Sequence, residues 1–248
     1  MKIAVCISGY FSNKVNDDLN KLNLIHQNII NNIDNCDIFI HSFDIKNKDN
    51  ILKKYPNIKK YIIEAQIDFR KNLTDDNLLF EKSLNQQIFP SPVSLFSSLS
   101  FMYSRKKAIM LAINNEIKYD IIIWCRFDNG IRLKLPLSKC NPTKLIINNI
   151  KEIDNNYIYM SWWEHLHSGY SDHWFISNLE NMKKIALMYD SLYNYYKINS
   201  EFDKYSIKLS KIFNNDGFRG NNHTVHKFYF ENNNITANNI KYLTFYGN

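Results

Sequence analysis

Two compact apolar runs near the start of the chain constrain its fold more than any other feature of the sequence. The runs, KIAVCIS (Lys2–Ser8) and CDIFIHSF (Cys36–Phe43), have the length and β-branched content of buried strands. Between them, apolar residues recur at helical spacing from Asp17 to Ile33. A short helix broken at Pro56 and a third strand near Tyr61–Glu64 follow. Because strands joined by helical crossovers lie parallel, this β-α-β-α-β order predicts a parallel sheet with helices packed on it.

The rest of the chain continues the alternation of helices and strands. Arg70 to Val93 is polar and has no clear period, which favours a long loop or lid with about one helical turn. A long helix is predicted over Ser94 to Lys118, with Ser94 as its N-cap, and a buried strand follows at Ile121 to Phe127. Further strands are predicted in NNYIYMSWW and DHWFISN. The next segment, ISNLENMKKIALMYDSLYNYY, predicts a helix that begins with a capping box of Ser177 and Glu180.

Composition limits the class of protein. The 248 residues are 45% hydrophobic and 22% charged, which is ordinary for a soluble globular protein with a sizeable core. The net charge of +7 admits an acidic partner, but the lysines are spread along the chain rather than clustered. The four cysteines lack C-x-x-C spacing, and no run approaches the roughly 18 apolar residues of a membrane span. These features predict buried, reduced thiols and a cytoplasmic protein, either in solution or at the inner face of the membrane.

The ends of the predicted parallel strands carry the candidate functional residues. In open α/β sheets, ligands bind beyond the carboxyl ends of the strands. Those ends, in chain order, are Ser8-Gly9, His41-Ser42 and Arg126-Phe127-Asp128. The sequence contains no G-x-G-x-x-G, P-loop, G-x-S-x-G or H-E-x-x-H motif. A Rossmann dinucleotide site, a P-loop ATPase, a hydrolase nucleophile elbow and a zinc protease are therefore disfavoured.

Asp128 is the carboxylate best placed to hold a divalent cation. Mg²⁺ and Mn²⁺ bind carboxylate oxygens and commonly keep substrate phosphates as their other ligands. Because side chains alternate along a strand, Arg126 lies on the same side as Asp128, where it can neutralise phosphate or orient the aspartate. The competing interpretation is an ordinary turn, since the sequence Asp-Asn-Gly is itself good turn chemistry.

Four segments lie in order along most of the chain: KIAVCISGY, CDIFIHSF, SFMYSRKKAIMLAINNEIKYDIIIWCRFD and SGYSDHWFISNLENMKKIALMY. Together these segments resemble the small GT-A-type glycosyltransferases of bacterial capsule and lipopolysaccharide synthesis. The resemblance implies one GT-A-like domain over residues 1–248, an α/β three-layer sandwich with a mostly parallel central sheet. Residues 1–130 would form its nucleotide-sugar-binding half and residues 131–248 its acceptor-side half.

The resemblance also implies nucleotide contacts. In the resembled enzymes, a Ser-Gly after the first strand precedes the donor nucleotide, and Ser8 and Gly9 match it. Relatives continue with Gln and a nearby Arg, where this chain has Tyr10 and Lys14. The basic cluster around Arg105 is suited to a diphosphate, although a solvated helix face is the competing interpretation. The predicted nucleotide-sugar-binding residues are Ser8, Gly9, Lys14, Arg105, Arg126 and Trp163, the last by stacking unless it belongs to the core.

Asp172 is the preferred general base, with Glu164 as the second candidate. A base in sugar transfer must lie within hydrogen-bond reach of the acceptor hydroxyl. Gly169, Asp172 and Phe175 match a later segment that lies near the reaction centre in the resembled enzymes. The competing explanation is that Asp172 closes an Asx turn in a Gly-Ser loop.

The metal ligands implied by the resemblance are Asp128 and one of two histidines. Arg126 and Asp128 match an Arg-x-Asp motif that is the degenerate counterpart of the Asp-x-Asp metal motif. Relatives often carry a Glu before the last helix, where this chain has NNHTVHKFYF, so His223 or His226 occupies that neighbourhood. Solvated or structural histidines remain the alternative, since no zinc-type spacing is met.

The predicted function is that of a hexosyltransferase-like enzyme. It would move a sugar from a nucleotide-diphosphate sugar to a glycan or lipid-linked glycan acceptor in surface polysaccharide synthesis, with Mn²⁺ or Mg²⁺ as cofactor. Two alternatives stay open. One is a basic nucleic-acid-binding protein that uses lysine and aromatic side chains, against which the lack of a basic stripe speaks. The other is a catalytically inactive GT-A-like scaffold, since the metal motif keeps one carboxylate.

Overall fold

A computed structural model of the protein describes residues 1–9, 29–33, 35–55, 57–85, 94–127, 150–162, 169–214 and 216–243. The strands are β1 (Ile3–Gly9), β2 (Cys36–Ser42), β3 (Ile58–Ile63), β4 (Ile121–Arg126), β5 (Ile158–Ser161), β6 (Trp174–Ser177) and β7 (Ile240–Leu243). The helices are α1 (Lys48–Lys54), α2 (Asp75–Leu84), α3 (Leu95–Ile113), α4 (Leu179–Tyr195), α5 (Glu201–Phe213) and α6 (Asn222–Asn232).

The strands form one seven-stranded sheet in the order β3-β2-β1-β4-β6-β5-β7. β1 pairs in parallel with both β2 and β4, and β2 pairs in parallel with β3. β6 is antiparallel to β4 and to β5, whereas β5 and β7 are parallel. Six strands therefore run in one direction and β6 runs in the other, which confirms the predicted mostly parallel α/β sheet.

The sheet is covered on both faces, as the continuous apolar runs predict for parallel strands. Alternate residues of β1 enter different clusters: Ala4 and Cys6 pack with the apolar sides of α3, α4 and α6. Val5 and Ile7 pack on the opposite face, together with Ile51 of α1. The sheet therefore lies between two apolar clusters, one that includes α3, α4 and α6 and one that includes α1.

The segment predicted as a loop or lid, Arg70 to Val93, contains the ten-residue helix α2, and for that stretch the prediction is wrong. Thr74 caps the helix, and the Asn77 side chain accepts the backbone N–H of Thr74 at 2.9 Å. The amide of Asn77 donates to two backbone carbonyls at the C-terminal end of α4. Phe80 and Leu84, one turn apart, are buried. The polar sequence does not indicate this helix, because the Asn77 side chain is hydrogen-bonded to a distant part of the chain. Residues 86–93 lie outside the described residues.

The start of α4 differs from the prediction, whereas the start of α3 agrees with it. Asn178 caps α4 by accepting the backbone N–H of Asn181 at 3.0 Å, so the predicted capping box of Ser177 and Glu180 is wrong. Asn and Ser are comparable N-caps, so the sequence alone does not separate the two positions. Ser94 caps α3 as predicted, accepting a backbone N–H of the first turn at 3.1 Å.

Other predictions fall partly on residues that are not described. The helix predicted from Asp17 to Ile33 overlaps the described residues only at 29–33, which include a short 3-10 turn. Cys6 and Cys125 are buried and Cys36 is partly buried, whereas Cys140 lies outside the described residues. None of the described helices is long and apolar enough to cross a membrane.

Candidate functional site

The reversed direction of β6 places its first residues at the carboxyl edge of the parallel strands. Trp174, where β6 begins, pairs with Cys125 near the end of β4. Asp172 and His173 directly precede β6 in the chain and therefore lie at that edge. Arg126, the last residue of β4, pairs in register with Ser8. Ligands of such sheets bind beyond the strand ends, so these residues occupy the expected position for a site.

Asp172 is the centre of a cluster of three candidate ligand side chains. Its Oδ1 lies 3.7 Å from Nε2 of His223 and 3.9 Å from Nδ1 of His173. One ligand atom from each of the three residues lies within 4.8 Å of the other two. Asp172 is 5% exposed, whereas the side chains of His173 and His223 are 13% and 18% exposed. The cluster is therefore anchored in the interior and reaches solvent through its imidazoles.

The surroundings of Asp172 keep its carboxyl group ionised. Burial raises the pKa of Asp172, but His223, His173, Arg126 and His226 together lower that pKa by more, to well below its ordinary value. A general base works best when its pKa lies near the working pH. The carboxylate of Asp172 is thus a weak base and suits the role of a fixed anion better than the predicted role of proton acceptor.

The N-terminus of α6 and a tight glycine contact fix the orientation of His223. Asn221 caps the helix by accepting the backbone N–H of His223 at 2.8 Å. Nδ1 of His223 donates to the carbonyl of Tyr170 at 2.9 Å, and the Tyr170 N–H donates back to the His223 carbonyl at 2.9 Å. A Cβ on Gly169 would lie 2.6 Å from the carbonyl carbon of His223, so only glycine permits this approach. Because Nδ1 is engaged with the Tyr170 carbonyl, Nε2 is the ring nitrogen that faces Asp172.

His226, one turn further along α6, has a different environment. Its Nδ1 donates to the carbonyl of Asn222 at 2.6 Å, and its Nε2 accepts a hydrogen bond from the guanidinium of Arg105. Burial and the neighbouring charge of Arg105 lower the pKa of His226 well below its ordinary value, so the ring is neutral. Since both nitrogens are bonded within the protein, this geometry offers no lone pair of His226 to the cation predicted there.

Arg105 is fully buried, so the solvated helix face considered for it is wrong. Its guanidinium contacts the carbonyl of Ile185 and Sδ of Met188, each at 3.4 Å. It also lies 5.4 to 5.7 Å from the ring centroids of Phe101, Trp124 and Phe175. Burial lowers the pKa of Arg105 to about 10, which keeps the side chain charged at neutral pH. The positive charge lies within the protein rather than on a surface, and contact with a diphosphate stays a prediction.

The tip of β1 is held by buried hydroxyl groups. The Ser8 hydroxyl accepts the indole N–H of Trp124 at 2.9 Å, so it is engaged within the protein. Gly9 has a φ of 124°, its N–H donates to the Ser104 hydroxyl at 3.2 Å, and its carbonyl accepts the Ser42 hydroxyl at 2.9 Å. The tip therefore has a fixed backbone shape, and nucleotide binding by Ser8 and Gly9 stays a prediction.

Sequence reasoning missed a partly buried hydrogen-bond chain beside this tip and one member of the candidate ligand cluster. The His41 ring joins the Glu64 carboxylate, 3.0 Å from Nε2, to the Ser104 hydroxyl, 2.8 Å from Nδ1. The order resembles a hydrolytic triad, but Ser104 is 1% exposed and so does not reach a substrate. His173 was missed because only the pairing of β6 with β4 brings it to the edge. The predicted residues Asp128, Glu164, Lys14 and Trp163 lie outside the described residues.

Comparisons with known proteins give a weak similarity of structure. No protein-family model matches the chain, and no curated protein sequence is detectably similar to it. Among solved structures, the chain is similar to mouse xyloside xylosyltransferase 1 in its apo form. The match has 12% sequence identity and a TM-score of 0.45, and it covers 98% of this chain and 84% of that chain.

Proposed function

We propose that the protein is a single-domain glycosyltransferase of the GT-A type that moves a sugar from a nucleotide-diphosphate sugar to a glycan acceptor. The supporting observation is that the ionised carboxylate of Asp172 interacts electrostatically with Arg126, which lies beside the β1 tip at the carboxyl edge of a mostly parallel sheet. A diphosphate leaving group requires positive charge beside it, which an arginine and a carboxylate-held cation supply. The proposed setting is surface polysaccharide synthesis, in the cytoplasm or at the inner face of the membrane.

The donor diphosphate would lie between the β1 tip and the end of β4. Arg126 pairs in register with Ser8, which puts its side chain next to the proposed nucleotide contacts. Lys14 and Trp163 are the further proposed contacts, and Asp128 a proposed ligand of Mn²⁺ or Mg²⁺. The charge of the departing nucleoside diphosphate would be stabilised by Arg126 and by the cation.

The acceptor hydroxyl must lose a proton as it attacks the anomeric carbon. In the proposed reaction, a bond forms between the acceptor oxygen and that carbon while its bond to the phosphate oxygen breaks. The nucleoside diphosphate leaves with the electron pair, and the proton passes to a carboxylate. Glu164 suits this role better than Asp172, because the low pKa of Asp172 makes it a weak base.

Thermal-shift titration with UDP, GDP and CMP, each with and without Mn²⁺, tests the proposal. We expect one nucleotide to raise the melting temperature, and Mn²⁺ to enlarge the rise, because a ligand at 100 times its Kd adds about 2.7 kcal/mol. Arg126→Gln should reduce the shift, whereas Arg70→Gln, at an exposed position, should leave it unchanged. The absence of any nucleotide shift contradicts the proposal.

Two further outcomes separate the alternatives. A nucleotide shift without release of nucleotide from any donor sugar, over a panel of acceptors, identifies an inactive scaffold. Binding to single-stranded nucleic acid that weakens steeply with salt, without a nucleotide shift, identifies a nucleic-acid-binding protein instead.

A further inference from the structure

We propose that Asp172, His173 and His223 bind a first-row transition-metal ion such as Mn²⁺, Co²⁺ or Zn²⁺, in preference to Mg²⁺. The ion site itself is independent of the sugar-transfer reaction. Its use as the cofactor of a diphosphate donor rests on the proposed function above.

The separations between Asp172 and the two histidines fit a shared ion better than they fit hydrogen bonds. Nitrogen and carboxylate ligands lie about 2.0–2.2 Å from such an ion, so pairs of ligand atoms are roughly 3–4 Å apart. The distances from Asp172 Oδ1 to the two imidazoles, 3.7 and 3.9 Å, lie in that range. Hydrogen bonds between nitrogen and oxygen have separations of about 2.7–3.2 Å. The cluster therefore has the spacing of ligands around a centre rather than of directly bonded partners.

The groups behind the ligands are arranged as they are behind metal-binding histidines. Such a histidine commonly donates its second ring N–H to a backbone carbonyl or carboxylate, which fixes both the tautomer and the ring orientation. His223 does so through Nδ1 to the Tyr170 carbonyl, and Gly169 allows the two backbones to touch. Asp172 is held on the adjoining segment, directly before β6. The ligand residues thus come from two adjoining pieces of backbone, the start of α6 and the segment before β6.

The donor atoms determine which ion the site prefers. Two imidazoles and one carboxylate suit first-row transition metals, whereas Mg²⁺ prefers oxygen ligands in near-ideal octahedral geometry. Three protein ligands leave coordination positions for water or substrate oxygens, as in catalytic sites. The partial exposure of His173 and His223 gives the ion a path to enter.

The positive charge around the cluster implies that a diphosphate strengthens ion binding. Arg126 interacts electrostatically with Asp172, and the buried guanidinium of Arg105 does so as well. A cation placed there is repelled by both arginines until an anion offsets their charge. A nucleoside diphosphate brings that anion, and thermodynamic linkage requires the ion to strengthen nucleotide binding by the same factor.

The test is a Mn²⁺ titration of the full chain followed by electron paramagnetic resonance, in which bound Mn²⁺ is lost from the free-ion signal. We expect Mn²⁺ to bind at this cluster, with an affinity that falls about tenfold or more in His173→Gln, His223→Gln and Asp172→Asn. Lys211→Gln, at an exposed position of α5, is the control and should bind as the unaltered protein does. Mg²⁺ should compete poorly. Mg²⁺ that displaces Mn²⁺ at equal concentration contradicts the proposal.

A measurement on the unaltered protein avoids dependence on variants that fail to fold. Spin-echo modulation of bound Mn²⁺ detects ¹⁴N nuclei of coordinated imidazoles, and the proposal requires this nitrogen signal. Bound Mn²⁺ without nitrogen coupling would place the ion at an all-oxygen site instead and overturn the assignment. Failure of Mn²⁺, Co²⁺ and Zn²⁺ to bind at all overturns it as well.

Repeating the titration with uridine diphosphate, guanosine diphosphate or cytidine monophosphate separates the ion site from the proposed function. At least one diphosphate should raise Mn²⁺ affinity. Arg126→Gln should raise Mn²⁺ affinity in the absence of nucleotide and diminish the enhancement by diphosphate. The substitution removes the positive charge that repels the ion, and that same charge is the proposed contact of the diphosphate. A nitrogen-coupled ion whose affinity no nucleotide changes supports the ion site and contradicts its use in sugar transfer.

Discussion

Two histidines at the carboxyl edge of the sheet, His41 in the first half of the chain and His223 in the second, have different surroundings. His41 is fully buried, with one nitrogen bonded to the Glu64 carboxylate and the other to the Ser104 hydroxyl. His223 bonds the Tyr170 carbonyl through one nitrogen and is partly exposed. Its second nitrogen faces Asp172 across 3.7 Å.

The difference shows what distinguishes a structural histidine from one that can bind a ligand. His226 lies on the same helix as His223, yet its contacts resemble those of His41, since both of its nitrogens are bonded to protein groups. Spacing in the sequence therefore does not separate the two roles, whereas the partners of each ring nitrogen do. The first half uses its histidine to hold a strand tip in shape, and the second half directs a histidine toward a carboxylate.

The largest expected effect concerns His226, whose two ring nitrogens are both bonded within the protein. It is produced by substituting the partner of that histidine, Arg105. Arg105→Ala should lower the free energy of unfolding by about 3–5 kcal/mol. It removes a side chain packed among three aromatic rings and leaves buried Nε2 of His226 without its donor. Urea unfolding measures the change. The control is Lys106→Ala, which removes a partly exposed ion pair with Asp190 and should lower the free energy of unfolding by under about 1 kcal/mol. Equal losses of stability in the two variants would contradict the contacts assigned to Arg105.

The next prediction compares one glycine from each half of the chain, Gly169 and Gly9. Gly169→Ala should destabilise the protein by about 1–3 kcal/mol, because its Cβ would overlap the backbone of His223. It should also weaken Mn²⁺ binding by displacing that histidine. Gly9→Ala should destabilise the fold by about 1–3 kcal/mol through its positive φ, and leave Mn²⁺ affinity unchanged. Matched unfolding and Mn²⁺ titrations check both, and a loss of Mn²⁺ affinity in Gly9→Ala refutes the separation of the two regions.

Much of the sheet is predictable from the sequence because parallel strands buried on both faces leave continuous apolar runs, as β1 and β2 do. The helix α2 is not, since the polar residue that orders it, Asn77, is satisfied by carbonyls at the end of α4. The composition of the α2 segment does not indicate a hydrogen-bond partner so distant in the sequence. Arg105 shows the same limit, because lysines follow it in the sequence, whereas in the structure its guanidinium lies among aromatic rings.

The candidate site was predictable only in part. Asp172 and His223 can each be singled out by residue type and position, and each is at the cluster. Their meeting, and the inclusion of His173, depend on the antiparallel direction of β6 and on the contact between Gly169 and α6. Strand direction and the contact between Gly169 and α6 are tertiary properties, so the sequence alone does not show which of these side chains meet.

A smaller effect tests whether the hydrogen-bond chain of the first half fixes the β1 tip. Ser104→Ala removes the acceptor of the Gly9 N–H and the partner of His41 Nδ1, and should cost about 1–2 kcal/mol of stability. It should also weaken nucleotide binding while Mn²⁺ binding without nucleotide is preserved. Ser97→Ala, an exposed position on the same helix, should change stability by less than about 0.5 kcal/mol. Unaltered nucleotide affinity in Ser104→Ala argues against the β1 tip as a nucleotide contact.

The smallest effect is the pH dependence contributed by His41. Burial lowers the pKa of His41 below its ordinary value near 6.5; Glu64 raises it and Lys107 lowers it further. As the pH falls through about 6.5, the unfolded chain takes up a proton that the folded protein does not. The free energy of unfolding therefore decreases toward lower pH, by at most about 1.4 kcal/mol per pH unit from this group.

His41→Gln keeps groups that can bond to both neighbours but does not titrate, so the stability of this variant should fall less between about pH 7.5 and 5.5. Urea unfolding over that range measures how steeply the free energy of unfolding changes with pH in each protein. Equal slopes would mean that His41 takes up its proton equally in the folded and unfolded states, which would contradict the effect of its burial.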